Sequence, residues 1–378
     1  MAEIMQLMEN WNGFVPSSDV NVNESALAQL IDLIDNKSRW PAHRHDYLMK
    51  EVITTTDFPY LFGIAIDRQM LAMYRTTQAN WRSWFKVARV PNFNTHTREK
   101  VQGNDTVLPQ VVEKGEYLVA PMSDYRYSIA AKKYGRQFDI FWEAIINDSM
   151  GAFASIPERF ARAVLNSEAF LATSTYASAA GPNVGLFGTP ITDIDGQLVT
   201  NQGVLPLTIQ NLETTLQLMS LQTDVLGTPI MVRGVHLVVP PQLEFTARQI
   251  LTSAQMQWLD TAAGAVLPVP TTNVLPQYGL QLHIDPWLPV VDATGTDDTT
   301  WYVFADPGQG VAVEFVYLTG YESPEVCMKN SDKVAVGGGA PLSAFSGDFA
   351  TDNIFYRVRH VMGADQMDPR FCYAQVAP

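Results

Sequence analysis

The stretch that most constrains the fold is residues 95–131, which are rich in β-forming residues and yet mostly polar. Its centre carries the sequence Glu-Lys-Gly-Glu at 113–116, a turn signal with β-formers on both sides. This pattern predicts a two-stranded arm that extends from a body. Because an isolated hairpin is only marginally stable in water, we expect the arm to lie on a neighbouring molecule.

A long amphipathic helix is predicted after the arm. Ser155 and Glu158 have the spacing of a capping box, with the serine as N-cap and the glutamate at the third helical position. Glu158 also lies four residues before Arg162, a spacing that favours an ion pair on a helix. The helix should continue to about Ala177, where a glycine-containing break follows. Its predicted apolar face contains Phe160, Ala163, Val164, Phe170 and Leu171.

The rest of the chain mixes shorter helices and strands. Residues 207–222 predict a second amphipathic helix, and residues 235–239 predict a buried strand that leads into a helix opened by Pro240–Pro241. Residues 300–318 predict a hairpin that turns at 306–310, and two more strands are predicted near the C-terminal end. Helices with scattered strands predict an α+β fold.

Composition and charge narrow the class of protein. Hydrophobic residues make up 47% of the 378 residues and charged residues 17%, which predicts a large core and argues against disorder. The net charge is −14, whereas phosphate binding needs clustered Lys and Arg. The chain is therefore not expected to be a general DNA-binding protein, although it could form the wall of a container for nucleic acid.

Cysteine usage and the N-terminal sequence favour a reducing compartment. Cys327 and Cys372 are too few for a disulfide framework. The first residues contain no basic segment followed by an apolar core, so we expect no signal peptide. Since no apolar run reaches about 18 residues, no membrane span is expected either.

The best candidate for an acid–base pair is Glu143 with Asp148, but their spacing argues against it. A helix is predicted to begin at Asp139 as N-cap, with Trp142 and Met150 among the apolar residues of one face. On that helix, five residues separate the two carboxylates by roughly 140°. We interpret these charges as part of a docking surface.

Other candidate sites have simpler interpretations. The sequence His-Arg-His-Asp at 43–46 lacks accompanying metal ligands. Asp-Ile-Asp-Gly at 193–196 lacks the later ligands of a calcium loop, so we predict a turn there. The glycine-rich 336–342 lacks the Lys-Ser/Thr of a phosphate-binding loop, and His236 is interpreted as a core histidine. We therefore predict no metal, no cofactor and no enzyme. An α+β hydrolase with scattered carboxylates remains the less favoured alternative.

A series of motifs between residues 104 and 164 points to a family. The motifs are Gly115–Tyr117, Tyr134–Gly135, Phe138, Glu143, Ile145–Asp148, Gly151 and Phe160–Ala163. On these residues the sequence resembles the major capsid proteins of tailed bacteriophages, of the Hong Kong 97 type. It is most similar to the branch of Mu-like head subunits and protease–capsid fusions, although no protease segment is evident. The resemblance is weaker towards the C-terminus. The first 90 residues match the family only in their general character, without a specific motif.

The resemblance implies a division of the chain into five kinds of part: an N-terminal arm, an E-loop hairpin, a spine helix, a peripheral domain and an axial domain. Residues 1–60 would form the arm and lead-in segment, 61–97 the start of the peripheral domain, 98–130 the E-loop, 131–199 the peripheral domain with the spine helix, 200–320 the axial domain, and 321–378 strands returning to the peripheral domain.

The resemblance also implies a function and partners. The chain would be a structural capsid protein that self-assembles into hexamers and pentamers of an icosahedral shell around double-stranded DNA, without sequence-specific contact. Assembly would take place in the host bacterial cytoplasm, with a scaffold, protease, portal or decoration proteins as possible partners and no membrane. An encapsulin-like compartment, which shares the fold but holds protein cargo, is the alternative.

Candidate inter-subunit residues follow from the predicted arm and spine. They are Lys114, Glu116, Tyr117, Arg126, Tyr127, Arg136, Glu143, Asp148, Glu158, Arg159 and Arg162. Some members of the family weld subunits through a Lys–Asn isopeptide bond, and Lys100 and Lys114 lie in the arm. The sequence identifies neither the asparagine nor the carboxylate that such a bond requires.

Overall fold

We describe a computed structural model of the chain. The described residues are 70–74, 79–102, 107–108, 110–114, 116–117, 123–141, 156–224, 226–259, 268–334, 336 and 347–377. The chain divides into two compact units, and the smaller unit takes its described residues from 139–141, 156, 328–334, 336 and 347–355. The remaining described residues belong to the larger unit, which contains the second sheet described below and most of the first.

The described strands are numbered in chain order. They are β1 Lys86–Val90, β2 His96–Gln102, β3 Ser123–Ile129, β4 Lys132–Ile140, β5 Ala177–Ser178, β6 Gly181–Pro182, β7 Ile191–Thr192, β8 Leu198–Val199, β9 Gln202–Gly203, β10 Gly234–Val239, β11 Gln255–Leu259, β12 Pro268–Thr272, β13 Gln281–Ile284, β14 Trp301–Ala305, β15 Val313–Leu318, β16 Glu325–Met328, β17 Ile354–Gln366 and β18 Cys372–Gln375. Five α-helices have both ends within the described residues. They are α1 Ile156–Tyr176, α2 Ile209–Ser220, α3 Glu244–Thr252, α4 Leu275–Tyr278 and α5 Leu288–Val291.

Two five-stranded sheets organise the described residues. The first has the order β1-β15-β17-β16, with β4 also paired to β17. The second has the order β13-β10-β14-β18-β9. Each sheet mixes parallel and antiparallel neighbours, since β1 is parallel to β15 while β15 is antiparallel to β17. The predicted α+β class is confirmed.

The predicted hairpin over residues 300–318 is wrong, although its strands and its turn exist. β14 pairs with β10 and β18 in the second sheet, whereas β15 pairs with β1 and β17 in the first. Every residue of both strands is buried. Each strand thus has a partner at both of its edges, and the turn at 306–310 carries the chain from one sheet to the other.

The long predicted helix is confirmed as α1. Phe160 and Val164 are buried, and the ring of Phe160 meets that of Phe138 edge-on at 4.6 Å. Phe170 is an exception to the predicted apolar face, because 45% of its surface is exposed. It lies ten residues after Phe160, which on a helix of about 100° per residue places it about 80° away from the buried face. Its ring instead packs edge-on against Trp287 at 5.6 Å.

The core of the larger unit contains aromatic residues from several elements. Trp81 stacks on Phe315 at 4.2 Å, and Tyr176 at the end of α1 packs edge-on against Tyr302 and Phe304. A second cluster lies between α2 and the second sheet, as the predicted amphipathic pattern requires. It contains Leu212, Leu216, Met219, Leu237, Trp301 and Val303.

The prediction that Asp139 caps a helix is wrong, because Asp139 lies in β4. Its carboxylate accepts a hydrogen bond of 3.0 Å from the Asn353 side chain within the smaller unit. Phe138, one residue earlier, stacks on Tyr356 at 5.0 Å, so aromatic packing along the sheet overrides the capping signal. The other residues of that predicted helix, 142–150, lie outside the described residues, as do 24–35 and 43–46.

Candidate assembly interface

The predicted arm is confirmed as the antiparallel hairpin of β2 and β3. Its register runs from His96 opposite Ile129 to Gln102 opposite Ser123. The predicted turn is also present at 113–114, where Lys114 has a φ of 63°. A positive φ is uncommon for a residue with a side chain and is typical of a tight turn.

The far part of the hairpin exposes apolar side chains. The exposed fractions are 91% for Val107, 84% for Leu108, 70% for Val112 and 85% for Tyr117. Lys114 and Glu116, two of the predicted contact residues, are also exposed there. Exposed apolar groups that lie close together on a soluble protein are typical of an interaction surface.

The near part of the hairpin makes polar contacts with its own subunit. The Arg98 guanidinium donates to the Glu314 carboxylate, with Nε–Oε1 at 2.8 Å. The Lys100 ammonium contacts Asp368 and lies 3.6 Å from Asp193. The Tyr127 hydroxyl donates to Asp193 at 2.9 Å. Tyr127, which we predicted to contact a neighbouring subunit, is thus held by a carboxylate of its own chain.

Arg126 has a different environment from Tyr127. Its side chain is 59% exposed and forms ion pairs with Glu99 at 3.6 Å and Asp124 at 3.2 Å, both within the hairpin. Exposed ion pairs contribute little to stability. The predicted contact of Arg126 with a neighbouring subunit stays a prediction.

The remaining predicted contact residues that the structure describes lie in the larger unit. Arg136 lies on β4, and Arg159 and Arg162 lie on α1, with all three side chains exposed. Glu158 lies in α1, but the structure does not describe its side chain. Glu143 and Asp148 lie outside the described residues. The acid–base hypothesis for Glu143 and Asp148 and the predicted ion pair between Glu158 and Arg162 therefore stay predictions.

Sequence reasoning missed a buried carboxylate on α1, that of Glu168, which is 0% exposed. Its oxygens accept hydrogen bonds from the hydroxyls of Tyr74 and Tyr317, the latter at 3.0 Å. The His360 ring nitrogen Nε2 lies 2.9 Å away, and Arg82 lies at 3.4 Å. The signal was present in the sequence, because position 168 follows the apolar positions 160 and 164 at helical spacing.

The Glu168 carboxyl remains charged despite its burial. Burial alone would raise its pKa, but the hydrogen bonds from His360 and Tyr74, with the positive charge of Arg82, lower the pKa below its usual value. Burial beside this carboxylate also raises the pKa of Tyr317 far above its usual range. The cluster joins α1 to β15 and β17 through neutral and cationic donors.

A second buried carboxylate, Asp285, lies near the C-terminal end of α1. It accepts hydrogen bonds from the Tyr176 hydroxyl, from the Thr173 hydroxyl at 2.6 Å and from the Trp287 backbone N–H at 2.8 Å. Burial outweighs these donors and raises the pKa of Asp285. Both carboxylates are thus surrounded by donors within the core, which indicates a structural role for them.

Two other predicted features have definite outcomes. The turn predicted at 193–196 is confirmed, with Gly196 at a φ of +80° between β7 and β8. His236 is buried, as predicted for a core histidine, and its Nδ1 lies 3.0 Å from Nε2 of His283. Its own Nε2 has no hydrogen-bond partner.

The described residues contain neither a candidate metal site nor a candidate membrane-spanning helix. They contain no group of three or more His, Cys, Asp or Glu residues arranged to hold a metal ion. No helix among them combines the length and the apolar character that crossing a bilayer requires.

Comparisons with known proteins give the following result. A family model described as "Phage capsid protein" matches residues 126–375, which are 250 of the 378 residues. No curated protein sequence matches the chain significantly.

Several solved structures are similar to the chain at low identity. The structure from Gordonia phage Cozz is 12% identical, with 80% of this chain and 87% of that chain covered and a TM-score of 0.48. The capsid structure of the cyanophage P-SCSP1u is 13% identical, with coverages of 79% and 88% and a TM-score of 0.44. A virus-like particle from Pyrococcus furiosus is 10% identical, with coverages of 83% and 99% and a TM-score of 0.43. At these scores the likenesses carry no conclusion about function.

Proposed function

The chain belongs to the phage capsid protein family, and from this premise we propose that copies of it assemble into the hexamers and pentamers of an icosahedral shell. Its role is structural, as a major capsid protein of the virion. The proposal further holds that the shell encloses the double-stranded DNA of a tailed phage, that assembly takes place in the host bacterial cytoplasm, and that the chain catalyses no reaction.

The observation that carries the proposal is the exposed part of the hairpin. Val107, Leu108, Val112 and Tyr117 expose 70–91% of their surface, although burial of apolar surface gains about 25 cal/mol per Å². Covering these side chains with a second copy would recover that free energy at every interface of a shell. Because many weak contacts act together in a closed assembly, modest gains at each one suffice.

The proposal extends to the parts of the chain that the resemblance implies. In the proposal the hairpin of β2 and β3 is the E-loop and α1 is the spine helix. Residues 61–97, 131–199 and 321–378 would belong to the peripheral domain, and residues 200–320 to the axial domain. Assignment to the Mu-like branch belongs to the proposal as well.

Specific residues are proposed to contact neighbouring subunits. Lys114, Glu116 and Tyr117 would do so from the hairpin turn, and Arg126 from its outer face. The others are Arg136, Glu143, Asp148, Glu158, Arg159 and Arg162. The described members of this set, apart from the undescribed Glu158 side chain, are exposed and so accessible to a second copy.

The net charge supports the proposed contents of the shell. With a charge of −14, the subunit surface repels phosphate overall, so packaged DNA would not adhere to the wall. Contact with DNA would be independent of sequence. A scaffold, protease, portal or decoration protein would be a further partner during assembly, and no membrane takes part.

The test of the hairpin's role is a replacement of residues 104–128 by a short Gly-Ser linker. Circular dichroism should show a folded body, since the described core lies elsewhere, whereas sedimentation and electron microscopy should show loss of shells. A milder variant, Leu108→Ser with Tyr117→Ser, keeps the hairpin and should weaken assembly without affecting folding. Normal shells from both variants would refute the proposal.

The contents of purified particles separate a phage capsid from a cellular compartment. Particles from phage-producing cells should contain nuclease-protected double-stranded DNA, and the ratio of absorbance at 260 to 280 nm should fall when the DNA is released. Particles that contain a protein cargo and no DNA would instead favour the encapsulin-like alternative.

A further inference from the structure

We propose that Arg98, Lys100 and Tyr127 form a latch that fixes the direction in which the hairpin leaves its own subunit. The inference rests on the proposed function, because a shell subunit must present the hairpin at an angle that reaches its neighbour. The three residues are positioning residues for assembly, and they act through the carboxylates of their own chain.

The three latch residues share one face of the hairpin. Arg98 and Tyr127 are directly opposite each other in the register of β2 and β3. Lys100 follows Arg98 by two residues, and side chains two apart on a strand point to the same side. All three contact carboxylates of the body, whereas the paired Glu99 and Arg126 lie on the exposed face.

Lys100 inserts into a buried acidic socket. The socket contains the side chains of Asp193, Asp195 and Asp368, which are 2%, 0% and 7% exposed. Arg370, with 1% of its side chain exposed, lies 2.7 Å from Asp195 and 3.3 Å from Asp368. Burial alone would lower the pKa of Arg370, but these carboxylates raise it, so the guanidinium stays charged.

The charge balance of the socket explains why it holds the lysine. Three carboxylates exceed the single charge of Arg370 by two negative charges. Lys100, whose side chain is only 20% exposed, reduces that excess to one. An uncompensated buried charge is strongly unfavourable. Withdrawal of Lys100 from the socket would therefore cost free energy, because it leaves the buried carboxylates with a larger excess of negative charge. The Tyr127 hydroxyl adds a hydrogen bond to Asp193 from the other strand of the hairpin.

Arg98 provides a second point of attachment. It pairs with Glu314 on β15, whose side chain is 2% exposed and whose position is opposite Asp365 on β17. Arg98 thus places a positive charge beside a buried carboxylate of the first sheet. The two attachment points lie about 7 Å apart along β2. A single contact would let the hairpin rotate about it. The contacts of Arg98 and Lys100, together with the Tyr127 hydrogen bond, fix the orientation of the hairpin.

The experiment compares Lys100→Met with Arg126→Met, a matched control that removes a positive charge from the exposed face of the same hairpin. Hydrogen exchange of the free subunit reports on the hairpin amides separately from the body. In Lys100→Met, exchange in β2 and β3 should become at least about tenfold faster, while exchange in α1 and the second sheet stays unchanged. Arg126→Met should leave all of these rates unchanged.

Assembly gives the second readout. Lys100→Met should reduce the yield of closed shells by at least about tenfold, or give shells of irregular size. Lys100→Arg keeps the positive charge and should give more closed shells than Lys100→Met. Tyr127→Phe removes one hydroxyl and should give a smaller change of the same kind. It also keeps the test decisive if Lys100→Met fails to fold.

The outcomes separate the latch from the proposed function. Hairpin exchange that is unchanged in Lys100→Met and Tyr127→Phe would overturn the latch, as would faster exchange spread evenly over the whole larger unit. Normal shells from a Lys100→Met subunit with a loosened hairpin would overturn its role in assembly. If the unmodified chain forms no shells, the proposed function fails, and the exchange measurements still decide whether the latch exists.

Discussion

Replacement of Glu168 by glutamine tests whether the buried carboxylate holds α1 in place. Glutamine has nearly the same shape, but it removes the charge and turns one acceptor oxygen into a donor NH2 group. The donors around Glu168 are Tyr74, Tyr317, His360 and Arg82. Glutamine therefore turns the charge-assisted hydrogen bonds at this site into weaker neutral ones. A donor that can only donate, such as Arg82, also loses its acceptor if the NH2 group faces it.

The expected cost can be estimated from the burial of the site. Loss of a hydrogen bond to a buried charged group typically costs about 1.5–3 kcal/mol. The individual hydrogen bonds are not added, because four donors share two oxygens and their contributions are coupled. Arg82, whose side chain is 43% exposed, should contribute little. At about 2–4 °C per kcal/mol for a large domain, the melting temperature should fall by roughly 5–10 °C.

The assay is urea and thermal unfolding of the free subunit, followed by circular dichroism. Glu168→Gln should lower the midpoint without changing the slope in urea, since the surface exposed on unfolding is the same. Glu213→Gln on α2, at a partly exposed carboxylate, is the matched control and should change stability by less than about 0.5 kcal/mol. A loss below about 1 kcal/mol for Glu168→Gln, or a gain, would refute the reasoning and show that burial costs cancel the interactions.

Three further predictions concern other parts of the larger unit. Phe160→Ala should destabilise the subunit by about 3–5 kcal/mol, and unchanged urea unfolding would show that its buried position contributes nothing. Gly363→Ala should cost about 1–3 kcal/mol, because the added Cβ would lie 2.2 Å from the Ala130 carbonyl oxygen; an equal melting temperature would contradict this. Burial, and to a smaller extent the neighbouring His236, lower the pKa of His283 to about 4. Because the pKa in the unfolded chain is about 6.5, the contribution of His283 is complete above that pH and is lost as the pH falls towards 4. His283→Gln should therefore flatten the decline of melting temperature between pH 6.5 and 4, and an unchanged slope would contradict this assignment.

Local patterns in the sequence predicted the elements that depend on local chemistry. The hairpin with its turn at 113–116, the helix now seen as α1 and the amphipathic α2 were all predicted from spacing and turn residues. These features follow from rules that act over a few residues. The family resemblance rested on motifs in the same region, and the family match at 126–375 covers most of them.

Long-range pairing could not be predicted in the same way. The pattern at 300–318 predicted two strands and a turn, but not that each strand has its partners in a different sheet. The acidic socket joins Lys100 to residues 193–195 and 368–370, which are far apart in the chain. The burial of Glu168 could have been predicted locally, because this charged residue occupies a position of the predicted apolar face of α1. That signal was overlooked.

The central claim is that the chain is the subunit of a closed shell, and electron microscopy of the purified protein together with analytical ultracentrifugation tests it most directly. The account predicts closed particles of megadalton mass, or capsomers that close into such particles under assembly conditions. A protein that stays monomeric or forms only small oligomers over all conditions, with the hairpin intact and the body folded, would contradict it.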